Sequence, residues 1–384
     1  MVRPLRVLRT VPSYFPYVTG PANQVRQISK RLAVHGVLSK VVTTNLMAGD
    51  RPINEYLDGV EVARLPIKTG VMQYHVVAGA WRELLGEDPD VIHAHSYRHY
   101  LTDVAACVAQ WRHKPLILQP HGALQGYRHI VKGRRRWIYR LYDLGGAVIP
   151  LRWADGVVVA TRQEAHEAVV FGVPEDRIAV IPVGIDVEEY VFPLAPKDRE
   201  LILCVARLSP DRRVEVLLQA LAKLPRRDWR CVIVGGEERR SYASGRGYLG
   251  HLRRLTAELG LVERVEFAGP KYGEELRRTY ATAGIFAYTS RYENFGQTVL
   301  EAAAAGCAIV STPVGVARDL VEPGVSGYLT PHDDVASLAR YIDLLLSDPS
   351  HQASVGQQAR KRVAAGYSWA AVIAAYLRLY EGLL

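Results

Sequence analysis

Two glutamates, Glu293 and Glu301, lie eight residues apart in the segment RYENFGQTVLEAAAAG, just after an apolar run typical of a buried strand. We expect a helix to begin near Phe295 and Gly296 and to run to Gly306. A helix N-terminus presents unpaired backbone N–H groups and the positive end of the helix dipole, and glycine lets a ligand approach the backbone closely. The segment therefore predicts an anion site.

The spacing of the two carboxylates limits what they can do together. At about 1.5 Å per helical residue they would stand on the order of 12 Å apart, whereas a hydrolytic acid/base pair needs roughly 5 to 10 Å and must flank one bond. Carboxylates also accept paired hydrogen bonds from sugar hydroxyls. We therefore predict an extended ligand, with a diphosphate at the helix start, a sugar beside Glu293 and a ribose beside Glu301. Two solvated carboxylates are the alternative.

A second loop carries positive charge. The segment ARLSPDRR places Arg207, Arg212 and Arg213 directly after a predicted strand at 201–206. In parallel α/β sheets ligands bind outside the carboxyl ends of the strands. A guanidinium there can pair two phosphate oxygens and neutralise charge that builds on a departing diphosphate. The alternative is a set of solvated arginines, as most basic loop residues are.

The first half has weaker signals of the same kind. Gly20, in TGPANQ, opens a predicted helix and would let the backbone approach a phosphate or a sugar, although a lone glycine often marks only a turn. His121, in PHGA, follows a predicted strand and would donate a hydrogen bond to a sugar or assist proton movement, with a structural role as the alternative. For His93 and His95 we reject metal binding, because no nearby cysteine or carboxylate completes a ligand set.

Loops of this kind are positioned by the strands of a sheet, and the sequence pattern predicts two sheets. Short β-rich runs alternate with amphipathic stretches in both halves, which predicts parallel βαβ units and the α/β class. The predicted strands are 5–11, 40–44, 60–65, 91–94, 116–119, 157–160, 201–206, 231–234, 265–268, 285–288 and 308–311. A Pro-rich linker at 183–198 would separate a domain at 1–182 from one at 199–365. A last helix, at 366–384, is predicted to pack back on the first domain.

The composition fits a globular protein of two domains. Apolar residues make up 49% and charged residues 23% of 384 residues, which is too long for one ordinary core. The net charge of +9 suits anionic ligands, acidic membranes or nucleic acid, or simply aids solubility. No RNP, zinc-finger or helix-turn-helix pattern supports nucleic acid as a partner, and no apolar run is long enough to span a bilayer.

The compartment signals favour the cytoplasm. The four cysteines are far apart in apolar runs, so neither a metal site nor a disulfide framework is indicated. The start, MVRPLRVLRTV, is short and lacks a small-residue cleavage site, so it reads as a first strand. The basic, aromatic stretch at 132–153 suggests peripheral contact with an anionic membrane at its inner face, beside a lipid-linked acceptor, with a solvated surface helix as the alternative.

Five segments together cover nearly the whole second half of the chain: GVPEDRIAVIPVGID, ARLSPDRR, ELGLVERVEFAGP, SRYENFGQTVLEAAAAG and STPVGVARDLVEPGVSGYL. As a set, with TGPANQ and PHGA in the first half, they resemble the retaining glycosyltransferases of family four. That family has the GT-B architecture, two Rossmann-like parallel-sheet domains facing across a cleft. The resemblance implies a nucleotide diphosphate sugar as donor and no required metal or other cofactor.

The resemblance also implies roles for residues of the second half. Glu301 would bind the ribose hydroxyls and Glu293 the transferred sugar, while Arg207 matches the family arginine on the diphosphate. Arg212 stands where lysine is usual, which keeps the charge but changes the reach. The phosphate or sugar would be held by backbone groups of Asn294, Phe295, Gly296 and Gln297.

In the first half, His121 matches a family histidine near the donor sugar. Thr19 and Gly20 stand where two glycines are usual, so backbone approach from that loop is less assured.

The expected reaction keeps the anomeric configuration without a protein nucleophile, the leaving diphosphate helping to deprotonate the acceptor. The acceptor (a glycan, a lipid-linked molecule or a small molecule) and the donor's base and sugar are not indicated. The alternatives are a nucleotide-sugar 2-epimerase of the same fold, a non-catalytic nucleotide-sugar-binding module, and a basic nucleic-acid binder. The intact set of Arg207, Glu293 and Glu301 argues against a silent module.

Overall fold

The computed structural model describes residues 3–17, 19–124, 135–144, 149–192, 197–237 and 247–384. The chain forms two units, one of Met1–Pro182 with Val372–Leu384 and the other of Val183–Ala371. Parts of two predicted segments lie outside the described residues, namely 193–196 of the linker and both 132–134 and 145–148 of the basic stretch.

The first unit is built on an eight-stranded sheet in the order β10-β9-β8-β7-β1-β2-β4-β3, parallel except for the antiparallel pair of β3 and β4. Its strands are β1 Arg6–Thr10, β2 Leu38–Thr44, β3 Asn54–Leu57, β4 Val60–Leu65, β7 Val91–His95, β8 Leu116–Gln119, β9 Gly156–Val159 and β10 Ile178–Val180. A separate antiparallel hairpin consists of β5 Ile67–Val71 and β6 Tyr74–Val77.

Helices connect these strands, and their buried faces form the core with the sheet. They are α1 Gly20–Val34, α2 Ala80–Gly86, α3 Tyr100–Arg112, α4 Arg135–Leu144, α5 Ile149–Trp153 and α6 Arg162–Val170. The first begins where the sequence predicts, because the Thr19 side chain accepts a hydrogen bond from the Ala22 backbone N–H at 3.3 Å. Its residues Val25, Ile28 and Leu32, at helical spacing, are fully buried.

The second unit has a six-stranded parallel sheet in the order β13-β12-β11-β14-β15-β16. Its strands are β11 Asp198–Val205, β12 Arg230–Val234, β13 Val265–Gly269, β14 Ala283–Tyr288, β15 Ala308–Ser311 and β16 Tyr328–Leu329. The helices are α7 Val214–Ala222, α8 Tyr248–Glu258, α9 Gly273–Thr282, α10 Gln297–Ala304, α11 Ala317–Leu320, α12 Val335–Ser347 and α13 Pro349–Gly366. Both sheets have the α/β class and the parallel order predicted from the sequence.

A last helix, α14 Trp369–Glu381, begins in the second unit and continues into the first. Its Tyr376 and Tyr380 are fully buried in the first unit. The Tyr376 hydroxyl donates to the Gln119 Oε1 at 3.1 Å, and the Tyr380 hydroxyl accepts from the Arg9 Nη2 at 2.9 Å. The helix therefore supplies both polar and apolar parts of the first unit's core.

No helix among the described residues combines the length and the apolar character that crossing a membrane requires.

The backbone of the second unit makes a close approach to itself at the end of β12. Gly235 has φ +143°, and a Cβ at this position would stand 1.8 Å from the carbonyl oxygen of Ala206, just beyond β11. The Ala206 N–H in turn donates to the Val234 carbonyl at 3.0 Å. Only glycine fits between these two strand ends, and the approach fixes the backbone next to Arg207.

We predict that Gly235→Ala lowers the free energy of unfolding by more than about 2 kcal/mol, because both the contact and the dihedral angle must be relieved. Gly236→Ala is the matched control. Its Cβ would make only ordinary contacts, 3.7 Å from Pro270, so its cost should stay below about 1 kcal/mol. Urea titrations of both variants measure the difference, and equal losses would contradict the explanation.

Candidate active site

The loop between β14 and α10 carries most of the predicted site. The helix begins at Gln297, with Gly296 as its N-cap at φ +85°, within a residue of the start predicted near Phe295 and Gly296. Glu293 and Asn294 therefore lie in an irregular loop, and helical rise applies only from Gln297 to Glu301. The predicted separation of about 12 Å between Glu293 and Glu301 assumed a continuous helix. That assumption is wrong, because residues 293–296 are not helical.

The loop is fixed by close backbone contact with the segment before α11. The Val316 N–H donates to the Phe295 carbonyl at 2.6 Å. Gly315, at φ +48°, passes so near that an added Cβ would stand 2.3 Å from the same oxygen. Phe295 is half-buried against the core of the unit. The N-terminus of α10 is thus held by neighbours rather than left as a free loop.

Arg212 and Glu293 form an ion pair in the second unit, with only 13% and 18% of their side chains exposed. The Arg212 Nη1 also donates to the Ser290 Oγ and to the Tyr292 carbonyl, both at 3.0 Å. Tyr288, the last residue of β14, donates its hydroxyl to the same Oε1 of Glu293 that Arg212 contacts. Sequence reasoning placed Arg212 and Glu293 separately on the ligand and did not anticipate their pairing.

This pairing has electrostatic consequences. Burial alone would lower the pKa of Arg212, but the negative charges of Glu293 and Asp211 raise it above its usual value, so the guanidinium stays charged. Burial and the Glu293 carboxylate both raise the pKa of Tyr288, which therefore remains a neutral donor. The Glu293 carboxylate is oriented by two donors on one oxygen.

Glu301 lies in α10 and is held by tyrosines of other elements. The Tyr280 hydroxyl, in α9, donates to its Oε2 at 2.9 Å. Burial raises the pKa of Glu301, while hydrogen bonds from Tyr280, Tyr190 and Gln297 act in the opposite direction. The carboxylate is thus pre-oriented before any ligand binds.

Arg207 follows β11, and 32% of its side chain is exposed. Its Nη2 lies 3.6 Å from the Oδ2 of Asp211. Arg213 is directed elsewhere. Its Nε contacts the Asp333 Oδ1 at 2.6 Å, and its Nη1 pairs with Glu215. Of the three arginines in this loop, Arg213 is therefore committed to a structural ion-pair cluster.

Gly20 and His121 belong to the first unit. Gly20 is the first residue of α1, and nothing lies within 4 Å of the position that its Cβ would take. His121, at φ +54°, follows the end of β8, and its Nε2 lies 3.0 Å from the Nδ1 of His95. Burial lowers the pKa of His121 to about 3, so the ring is neutral. The Glu164 carboxylate fixes the same turn by accepting from the Gly122 N–H.

Within the second unit, the structure brings together the loops after β11 and β14, which are neighbouring strands. The predicted residues at this edge are Arg207, Arg212, Glu293, Asn294, Phe295, Gly296 and Gln297, with Glu301 one helical turn further on. Four further residues of the site were not predicted, because their contacts depend on packing between elements: Tyr190, Tyr280, Tyr288 and Ser290.

In the described residues, no group of three or more His, Cys, Asp or Glu side chains is arranged to hold a metal ion.

Two protein-family models match the sequence of this chain. Residues 18–189 match the family model described as Glycosyltransferase Family 4, and residues 186–362 match that described as Glycosyl transferases group 1. Among solved structures, Anabaena HepE in complex with UDP has a TM-score of 0.77 at 21% identity, covering 99% of each chain. At that identity the likeness shows the fold.

Curated relatives are also similar. The D-inositol 3-phosphate glycosyltransferase of Nocardia farcinica is 34% identical over 246 residues, 60% of this chain and only 53% of that protein. The D-inositol 3-phosphate glycosyltransferase 1 of Catenulispora acidiphila is 28% identical over 391 residues, 94% of this chain and 90% of the relative. Together with the two family models, these similarities show that the chain belongs to the family four glycosyltransferases.

Proposed function

We propose that this chain transfers a sugar from a nucleotide diphosphate sugar to an acceptor with retention of the anomeric configuration. The observation that carries the proposal is the Arg212–Glu293 ion pair beside the N-terminus of α10. It combines a fixed positive charge with a glutamate beside the helix start, since a Cβ added at the N-cap Gly296 would stand 3.9 Å from the Cβ and Cγ of Glu293. This is the combination that a diphosphate and its attached sugar require.

The donor would lie along the second unit, with its diphosphate at Arg207, Arg212 and the backbone of 294–297. Glu293 would accept from hydroxyls of the transferred sugar, and Glu301 from those of the ribose. UDP is the first nucleotide to test, because Anabaena HepE was solved with it. An inositol phosphate is the first acceptor to test, because the relatives are named for it.

The reaction would break the bond between the sugar C1 and the diphosphate oxygen and form the acceptor–C1 bond on the same face. The acceptor proton would pass to the departing diphosphate. Because the Oε1 of Glu293 already accepts from Arg212 and Tyr288, this carboxylate suits hydrogen bonding better than nucleophilic attack. Arg207, Arg212 and the helix start would stabilise the developing charge, so we propose that no metal or other cofactor is required.

Two rivals make different predictions. A 2-epimerase of the same fold would convert the donor with no acceptor present, and a non-catalytic module would bind the donor without turnover. A proton NMR time course of UDP-glucose, with and without inositol phosphate, distinguishes them. Transfer that depends on the acceptor supports the proposal, and the anomeric coupling constant of the product reports retention or inversion.

We predict that Glu301→Ala weakens UDP binding by about 10- to 100-fold, because the variant loses the hydrogen bonds between the carboxylate and the ribose. Tyr280→Phe, which removes one supporting hydrogen bond, should weaken binding less. Arg207→Ala should lower kcat by about 100-fold or more, because its charge would act on the leaving diphosphate. Calorimetry measures the binding and initial rates measure the turnover.

Arg213→Ala is the matched control for Arg207→Ala, since it removes the same charge from the same loop. Its partners are Asp333 and Glu215, so kcat should change by no more than about threefold. Unchanged binding in Glu301→Ala together with unchanged turnover in Arg207→Ala would contradict the assignment of both residues.

We further propose that the protein is cytoplasmic and contacts the inner face of an anionic membrane through α4. On this helix Trp137 and Leu141 are four residues apart and 62% and 65% exposed. Asp143, on the same helix, is held by Arg98, with Nε–Oδ1 at 2.9 Å. One part of the helix is therefore anchored while two apolar side chains remain exposed beside Arg140.

The double variant Trp137→Ser, Leu141→Ser should reduce binding to vesicles containing acidic lipid by at least about tenfold, since each exposed side chain would bury its apolar area. Trp111→Ser is the matched control, because Trp111 is an exposed tryptophan on α3 at 71%. Co-sedimentation measures the bound fraction. Binding that does not depend on acidic lipid, or that is equally reduced in the control, would remove the proposal.

A further inference from the structure

A buried polar cluster in the first unit connects Arg9 to His121. Arg9 lies near the carboxyl end of β1 and has no exposed surface. Its Nη1 lies 3.1 Å from the His93 Nδ1 and 3.5 Å from the His95 Nε2, and its Nη2 donates to the Tyr380 hydroxyl at 2.9 Å. The ring of His95 stacks on that of His93, with centroids 4.2 Å apart. A permanent charge is thus surrounded by neutral acceptors.

The donors of Arg9 determine where the imidazole protons lie. A guanidinium has only N–H donors and keeps its proton, so each imidazole nitrogen that faces it must accept. The Nε2 of His95 is therefore unprotonated, and a neutral ring then carries its proton on Nδ1. That Nδ1 lies 3.0 Å from the Nε2 of His121 and donates to it. The Nε2 of His121 is in turn unprotonated, so its proton lies on Nδ1.

The reversed arrangement is disfavoured. If His121 donated from Nε2, then His95 would accept at Nδ1 and carry its proton on Nε2, directed at Arg9. Two buried donors would then face each other, and an unsatisfied buried donor costs about 1–3 kcal/mol, more beside a charge. Protonation of both nitrogens is also disfavoured, because burial and the neighbouring charge of Arg9 lower the pKa of His95 well below its usual value.

The backbone supports a fixed ring at His121. This residue has φ +54° and Gly122 has φ +74°, so the turn is held in the left-handed region. The Glu164 carboxylate accepts from the Ala160 N–H at 2.8 Å and from the Gly122 N–H. The turn is therefore tied to α6, and the ring has a defined neighbour in His95.

We propose that Arg9 and His95 are positioning residues that hold His121 as the neutral tautomer with its proton on Nδ1. His121 would then act as a hydrogen-bond donor from Nδ1 and not as a base at that atom. Only the expected effect of this tautomer on kcat rests on the proposed function. The tautomer itself can be measured on the free protein.

Two-bond ¹⁵N–¹H correlation spectra of uniformly ¹⁵N-labelled protein distinguish the two tautomers of each histidine. The signals of His121 are assigned as those lost in His121→Asn. We expect the Nδ1–H tautomer in the wild type, and its loss in Arg9→Met. Finding the Nε2–H tautomer in the wild type, or an unchanged Nδ1–H tautomer in folded Arg9→Met, would overturn the proposal.

A second pair of variants keeps the test independent of Arg9, whose replacement could prevent folding. His95→Asn places an amide near the position of Nδ1, so it can still donate to His121, whereas His95→Leu cannot. We expect the tautomer of His121 to be retained with Asn and lost with Leu; the same result in both would overturn the relay. Ser39→Ala, which removes only a contact at 3.4 Å to the Arg9 Nε, is the control and should leave the tautomer unchanged.

Measurements of kcat distinguish the tautomer relay itself from a role of His121 in the proposed reaction. If His121 donates to the donor sugar, His95→Leu should lower kcat about tenfold, the value of one hydrogen bond, and His95→Asn should not. A changed tautomer with unchanged kcat would support the relay while removing His121 from the proposed reaction. Absence of any transferase activity would contradict the proposed function and leave the measured tautomer standing.

Discussion

The ion pair between Arg212 and Glu293 joins loops that follow two neighbouring strands, β11 and β14. Parallel pairing brings the carboxyl ends of these strands to one edge of the sheet, and the ion pair then fixes the distance between the loops. Both side chains are largely buried, so breaking the pair would leave a costly unpaired charge. Arg212 also donates to the Tyr292 carbonyl in the loop before α10, so the ion pair holds this loop together with the backbone contact between Val316 and Phe295.

The parts of the fold that could be predicted are those in which burial dominates. All eleven predicted strands are present, since most of them are short runs of buried, largely apolar residues; in β13 only Val265 is buried. The strands missed, β3, β5, β6, β10 and β16, are two to five residues long, and several are exposed. Such strands are held by pairing with a neighbour, which leaves no apolar periodicity for the sequence to reveal.

The candidate site was predictable in its glutamates and arginines, because charged residues after strands stand out from an apolar background. Their partners were not predictable. Tyr280 lies on α9 and meets Glu301 on α10 only because the two helices pack together. The start of α10 was predicted to within one residue, since Gly296 is its N-cap. The irregular path of residues 293–296 was not predicted, so helical spacing does not give the distance between the two glutamates.

The path of α14 makes the first unit discontinuous in sequence, since residues 372–384 complete a core whose first buried residue is Val7. During synthesis, every residue of the second unit is added before Tyr380, whose hydroxyl accepts from Arg9. Until then a permanent charge in the central strand lacks one of its acceptors and part of its apolar cover. The unit that begins first along the chain is therefore the last to have all of its core residues synthesised.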